Sequence, residues 1–304
     1  MSPEAPADPL IQQVLAGVES PWQIPFDSGL ATAPDVFAAA DDGTESDHKD
    51  RLDQARKRLK EAQAKLYAGK QFSVLLVFQA MDAAGKDGAI REVLEGLDPN
   101  GLRVSAFKRP SKLELEHDFL WRTTLALPER GIMGLFNRSY YEEVLTVKVH
   151  PEFLQAQYAG LAPDPAQLWP ARYRAIREHE KHLIHANTLV MKFWLNVSPG
   201  RQARRFLERL QDPAKQWKFS RQDIAESELR SQYDDALKDM FNETSRPYAP
   251  WFCIPADDRW YARWQIADIV AQALDRLPMN YPEPENLSAD EITQYTNVLA
   301  DKAR

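Results

Sequence analysis

Within AMDAAGKDG, residues 80–88, one lysine and two aspartates stand among alanines and glycines. Small residues let backbone N–H groups close on phosphate oxygens, and a helix opening at the end of such a turn favours negative charge. The backbone of Ala83, Ala84, Gly85, Asp87 and Gly88 is therefore the candidate phosphate cradle, with the Lys86 ammonium placed on the phosphates. The usual phosphate-loop pattern is altered at two positions: its first glycine is Ala80 and its Ser/Thr is Asp87. Asp82 would repel a bound phosphate unless a cation stood between them, which reads as a Mg²⁺ ligand. A competing reading makes Asp82 a helix N-cap. The chemistry this points to is phosphoryl transfer.

A second segment, GLFNRSYYEEVL at 134–145, has the look of a neighbouring strand end. In phosphate-loop folds that place holds a carboxylate on Mg²⁺. Here it is Asn137, a weaker ligand, followed by Arg138, which can contact a phosphate with two parallel hydrogen bonds. Glu142 and Glu143 lie one helical turn further on. The metal set read from these residues is Asp82, Asn137 and Glu142. The alternative is an ordinary strand–helix connection capped by Ser139, with glutamates matching the helix dipole.

Cations cluster elsewhere too. Between Arg201 and Arg221 lie seven basic and two acidic residues, a local charge of +5 in a chain of net charge −7. On a helix from Pro199, Arg201, Arg205 and Arg209 share one face, opposite Ala203, Phe206, Leu207 and Leu210. The reading is a lid whose apolar side packs and whose arginines face outward over phosphates; the bland alternative is a solvated amphipathic helix. Lys108, Arg109, Lys112 and Arg122 form a second group that would line a channel for a polyanion. His179, His182 and His185 recur every three residues without the spacing of a zinc helix, and they read as surface or packed histidines.

These residues need a scaffold. FSVLLVFQA, 72–80, is a continuous apolar run suited to a strand buried on both faces. Further strands are expected at Arg103–Phe107, Ile132–Phe136, Thr188–Val197 and Trp251–Ile254. Helices are expected at Asp50–Lys70, Gly88–Leu97, Lys112–Leu127, Gln167–Asn187, Pro199–Leu210 and Arg259–Leu277. Alternating strands and helices indicate an α/β fold, a parallel sheet covered on both faces. Residues 1–47 read as an N-terminal tail or docked arm, 48–277 as one domain with a lid at about 200–245, and 278–304 as a C-terminal extension. The net charge argues against a nucleic-acid binder. The one cysteine, Cys253, fits a reducing compartment. With no bilayer-length apolar stretch and no basic, apolar leader, a cytoplasmic protein without membrane attachment is expected.

Together, AMDAAGKDG and FNRSYYEEVL resemble the phosphate-loop and second-strand regions of the polyphosphate kinase 2 family. The likeness continues through EHDFLWR (116–122), LPERG (127–131), VHPE (149–152), RFLERLQDPAKQWKFS (205–220) and APWFCIPADDRWYAR (249–263), spanning about residues 50–277. It implies a P-loop kinase, a three-layer α/β/α sandwich with a parallel sheet and a helical lid. It implies transfer of the terminal phosphoryl group of polyphosphate to AMP or ADP with Mg²⁺. The expected partners are inorganic polyphosphate, adenine or guanine nucleotides, and further copies of the chain in a dimer or tetramer. Asn137 followed by SYYEEVL resembles the class III subgroup, associated with both mono- and diphosphate acceptors, and Glu142 is implied in acceptor choice. Asp82, Lys86, Arg138, Arg205 and Glu142 are the implied catalytic residues, Arg205 being the lid arginine. Asn137 and the loop residues would contact the nucleotide or phosphate, and Lys108, Arg109, Arg122, Arg201 and Arg209 the polyphosphate. The stretch AESELRSQY, with Ser227 and Arg230, departs from the family's Arg and Trp in its lid helix. Two other readings remain open: an ATP-dependent nucleotide kinase of the thymidylate-kinase type, and a non-enzymatic nucleotide switch.

Overall fold

The computed structural model describes residues 9–26, 29–39, 41, 43–284 and 287–303. Five strands form its sheet: β1 Ser73–Ala80, β2 Leu102–Ala106, β3 Met133–Asn137, β4 Thr188–Asn196 and β5 Trp251–Pro255. Their order is β2-β3-β1-β4-β5, and every neighbouring pair is parallel. The apolar run of β1 explains its central place, since Val74 to Phe78 are fully buried and only a strand covered on both faces can hold such a run. β2 lies at an edge and is mostly exposed.

Two helical layers cover the sheet. Glu45–Gly69, Lys86–Val93 and Arg259–Arg276 pack with one another, while Pro165–His185 packs on β4 and on Arg230–Thr244. The a,d spacing of Leu52, Ala55, Leu59, Ala62 and Leu66 does what it predicts, for all five are buried against this core. The arm before the sheet is bound firmly. Ile11, Val14, Leu15 and Val18 are core residues. Ile24 donates its N–H to the Trp251 carbonyl at 2.8 Å, and Cys253 donates to the Trp22 carbonyl at 2.8 Å. At the other end, the helix Ala289–Lys302 has no buried residue.

One expected element differs. The helix foreseen over 112–127 is two short helices, Lys112–Leu115 and Trp121–Thr124. Ser111 and Glu114 form a capping box that starts the first, and the Asp118 carboxylate accepts the Leu120 N–H at 2.9 Å. That local turn competes with the helical hydrogen bond and breaks the run.

Beneath the second-strand segment lies a buried ion pair. Lys192 of β4 and Glu180 are fully buried, with Lys192 Nζ donating to Glu180 Oε2 at 2.7 Å, to the Tyr141 hydroxyl at 2.9 Å and to the Thr244 carbonyl at 2.8 Å. The hydroxyls of Tyr140 and Tyr141 both donate to Glu180 Oε1. Burial depresses the Lys192 ammonium to about 8, against the pull of Glu180. This network ties the tyrosines after Arg138 to the sheet and to the helix Pro165–His185. Removing one member of such a pair leaves a buried charge uncompensated, at a cost of about 3–5 kcal/mol. Glu180→Ala is therefore expected to lower unfolding stability by that amount in a urea titration, whereas the double change Glu180→Leu, Lys192→Met recovers most of it. A double variant as unstable as the single one would show that the pair's charges are not the cause.

Candidate active site

The carboxyl ends of β1, β3 and β4 converge on one cleft, the position where open parallel sheets bind ligands. The phosphate loop follows β1. Gly85 adopts φ 90° at the N-cap of Lys86–Val93, a left-handed conformation natural to glycine. A Cβ there would stand 3.1 Å from Arg205 Nη1, so the glycine also makes room for the lid arginine. Ala83 takes φ 61° without being glycine, a strained turn of the kind that functional loops hold. Gly85, not Asp82, caps the helix, and it does so without a side-chain bond; the N-cap reading of Asp82 is thereby removed.

Asp82 instead meets Arg138. The Arg138 guanidinium donates to Asp82 Oδ1 at 2.5 Å and to Glu142 Oε2 at 3.3 Å. Arg138 itself has φ 63°, and its N–H bonds the Phe78 carbonyl at 3.0 Å, so the chain turns sharply off β3 against β1. Ser139 caps the 3-10 turn Tyr140–Glu143 by accepting the Tyr141 N–H, as its type predicts. Glu142 Oε1 accepts from Gln79, and its Oε2 accepts from Thr146 as well as Arg138. Burial pushes the Glu142 carboxyl up, but Arg138, Thr146 and Lys86 more than offset this and hold it below the usual range. Glu142 in turn raises the Arg138 guanidinium's affinity for its proton, against desolvation and with help from Asp82. Lys86 is lowered, first by desolvation and then by the Arg138 charge.

The three residues expected to hold the metal are each engaged by a protein partner in this structure. Asn137 donates its amide to Asp87 Oδ1 at 2.8 Å, and Glu142 accepts from three donors. Among the described residues no group of three His, Cys, Asp or Glu side chains is placed to hold a metal; the three histidines of 179–185 are no exception. Asp82, though paired with Arg138, keeps its carboxylate partly exposed at the cleft. That still fits Mg²⁺, which takes one or two carboxylates and draws its other ligands from phosphate and water.

The lid also corrects the reading of its face. In the helix Pro199–Gln211, Phe206 is buried, but Leu207 and Leu210 are 54% and 42% exposed. Arg201, Arg205 and Arg209 face inward onto the cleft. The reason is a set of acceptors at the loop. Arg205 donates to the Ala83 carbonyl at 3.1 Å and the Ala256 carbonyl at 2.9 Å, and Gln202 donates to the Asp82 carbonyl at 2.8 Å. Desolvation, with Arg201 nearby, lowers Arg205 to about 10. Gln202 carried no signal in the sequence. Arg259 and Arg263 also line the cleft; their spacing of four on an expected helix was the available signal.

Lys108 and Arg109 are exposed on the opposite wall. Arg122 is not on it. Its side chain is only 8% exposed, donating to the Lys108 carbonyl at 2.7 Å and facing Glu143. It therefore holds the Lys108 backbone in place. Altogether the cleft has a volume of ≈ 750 Å³ and, among the described residues, twelve cationic side chains against three carboxylates.

A parallel sheet with a phosphate loop after its central strand, an arginine at the neighbouring strand end and a cation-rich lid defines a P-loop phosphotransferase. The Polyphosphate kinase 2 model matches residues 43–282, and the chain belongs to that family. It is 48% identical over 244 residues to the ADP-polyphosphate phosphotransferase of Rhodopseudomonas palustris, covering 80% of this chain and 84% of that protein. It is 43% identical over 232 residues to the AMP/ADP-polyphosphate phosphotransferase of Meiothermus ruber, covering 76% and 83%. The crystal structure of polyphosphate kinase 2 from Arthrobacter aurescens superimposes with a TM-score of 0.77 at 35% identity, covering 90% of this chain and 98% of that one.

The geometry separates anion contacts from scaffold contacts. Arg138→Ala and Arg205→Ala are each expected to weaken tripolyphosphate binding ~10-fold or more in calorimetric titration, as one charged hydrogen bond is worth ~1.5–3 kcal/mol. Arg122→Ala is expected to leave that affinity within about threefold and to lower unfolding stability by ~1–3 kcal/mol. A weakened affinity in Arg122→Ala without loss of stability would return this residue to the anion path.

Proposed function

We propose that this chain moves the terminal phosphoryl group of polyphosphate onto AMP and ADP, as the names of its relatives describe for those proteins. One observation carries the reading: the cleft holds a surplus of nine positive charges, more than a nucleoside triphosphate would neutralise. A surplus of this kind suits a longer polyanion.

The reaction is an in-line displacement. A terminal phosphate oxygen of the nucleotide attacks the terminal phosphorus of polyphosphate. The P–O–P bond to the next phosphate breaks, and the chain leaves one unit shorter. Lys86 and the N–H groups of the loop hold the migrating phosphoryl group. Arg138 and Arg205 neutralise the charge that spreads over its oxygens. Lys108, Arg109, Arg201 and Arg209 guide the polyphosphate. Glu142 acts through Arg138, fixing the direction of its guanidinium. Mg²⁺ bound to the phosphates would add charge neutralisation, with Asp82 as its protein ligand. The lid helix, already hydrogen-bonded to the loop through Gln202 and Arg205, excludes water from the transfer point.

Incubation with AMP, Mg²⁺ and polyphosphate, followed by nucleotide chromatography, is expected to yield ADP and ATP with no other phosphoryl donor. Lys86→Ala is expected to slow this by ~10²–10³. The Michaelis constant for polyphosphate should rise with ionic strength, because the contacts are charge contacts in an open cleft. Phosphorylation of AMP by ATP but not by polyphosphate would overturn the proposal in favour of a nucleotide kinase of the thymidylate-kinase type.

A further inference from the structure

Beside Arg138, two adjoining cavities of ≈ 200 and ≈ 160 Å³ run away from the phosphate loop. Lys108, Arg109 and Arg138 stand at the first, whose walls include the apolar side chains of Phe107, Val147 and Phe153. Both cavities share Glu143 and Gln157 in their lining. Cations at one end and flat apolar walls beyond them suit a nucleotide, phosphates first.

Glu143 is 2% exposed and its carboxylate is held rigidly. Arg172 donates to Gln157 Oε1 at 2.6 Å and, from its other nitrogen, to Glu143 Oε2 at 3.3 Å. Gln157 donates to the same Oε2 at 2.6 Å. The second oxygen, Oε1, accepts no hydrogen bond among the described residues; Arg122 Nη2 stands 3.9 Å away, outside hydrogen-bond range. Glu143 lines both cavities, so a ligand lying in them can supply the donor that this oxygen lacks. Burial raises the Glu143 carboxyl despite Arg172 and Gln157. Arg172 and Arg122 on either side disfavour a metal ion in this place. A neutral N–H group meets no such repulsion.

We propose that Glu143 Oε1, fixed in direction by Gln157 and Arg172, accepts an N–H of the exocyclic amino group of the acceptor's purine base, and so selects adenine nucleotides by their edge. This rests on the reading of the chain as a nucleotide phosphotransferase, and it assigns a role to the second glutamate of SYYEE distinct from that of the first. Glu142 faces the arginine at the transfer point; Glu143 faces the base.

The test compares AMP with purine riboside 5′-monophosphate, which lacks the amino group. With polyphosphate as donor, wild-type kcat/KM is expected to favour AMP by ~10- to 100-fold, the worth of one hydrogen bond to a charged group. In Glu143→Leu the ratio is expected to fall to within about threefold of one, because AMP loses its partner while the analogue had none. Equal kcat/KM for the two nucleotides in the wild type overturns the proposal without any variant. So does an unchanged ratio in a folded Glu143→Leu, which would make the residue structural only. Should neither nucleotide accept phosphate, the transfer reading fails. Calorimetry of the two nucleotides with wild-type protein and no donor then decides the base contact separately: tighter AMP supports it and equal affinity sinks it.

Discussion

Like charges crowd the cleft, and much of the site's local structure follows from keeping them there. Lys86, Arg138 and Arg205 stand in a partly desolvated space, where mutual repulsion is screened far less than at a surface. Arg138 is retained because Asp82 and Glu142 flank it. Arg205 is held by two backbone carbonyls, while desolvation and the nearby Arg201 depress its affinity for a proton. Lys86 has no carboxylate at hydrogen-bonding distance among the described residues and is depressed as well. The cleft is thus a place where positive charge is tolerated rather than satisfied. A polyanion relieves a repulsion that the fold maintains in advance, and preorganised electrostatics of this sort needs little rearrangement at the moment of reaction.

The fold supplies the rigidity this demands. Arg138 leaves β3 in a left-handed conformation, and the two tyrosines after it are tied to Glu180 and Lys192 beneath the sheet. Glu142 and Glu143 ride on the same short turn and point to different neighbours. One turn of 3-10 helix therefore distributes two charged side chains in fixed directions, and its anchor is a pair of buried charges rather than apolar packing alone.

Much of this could be read from residue order. The apolar run of β1, the small residues after it and Lys86 at the helix start define a phosphate loop from local chemistry alone, and the alternation of strands and helices defines the parallel sheet. What spacing could not say was which side of an amphipathic helix meets the protein. Arg201, Arg205 and Arg209 share one face whether that face looks out or in, and the carbonyls of Ala83 and Ala256 that turn it inward are distant in sequence. Arg122 and Asn137 show a related limit. Each has the side chain a ligand contact needs, but each found a nearer partner, the Lys108 carbonyl and the Asp87 carboxylate. Gln202 shows the converse, a neutral residue among arginines that the loop recruits.

The arm that runs beside β5 joins the two ends of the chain's history. Ile24 and Trp22 pair with Trp251 and Cys253, so a segment that precedes every strand completes the edge of the last of them. An open strand edge is a template for pairing with other chains. Until β5 emerges, the arm has no edge to cover, and its apolar side chains, Ile11, Val14 and Leu15, have an incomplete core to enter. Contacts of such sequence separation form slowly, and partly folded chains with exposed apolar surface are prone to aggregate. Sealing of this sheet is thus a late event in biosynthesis, and a nascent chain stalled before β5 would carry its arm unprotected.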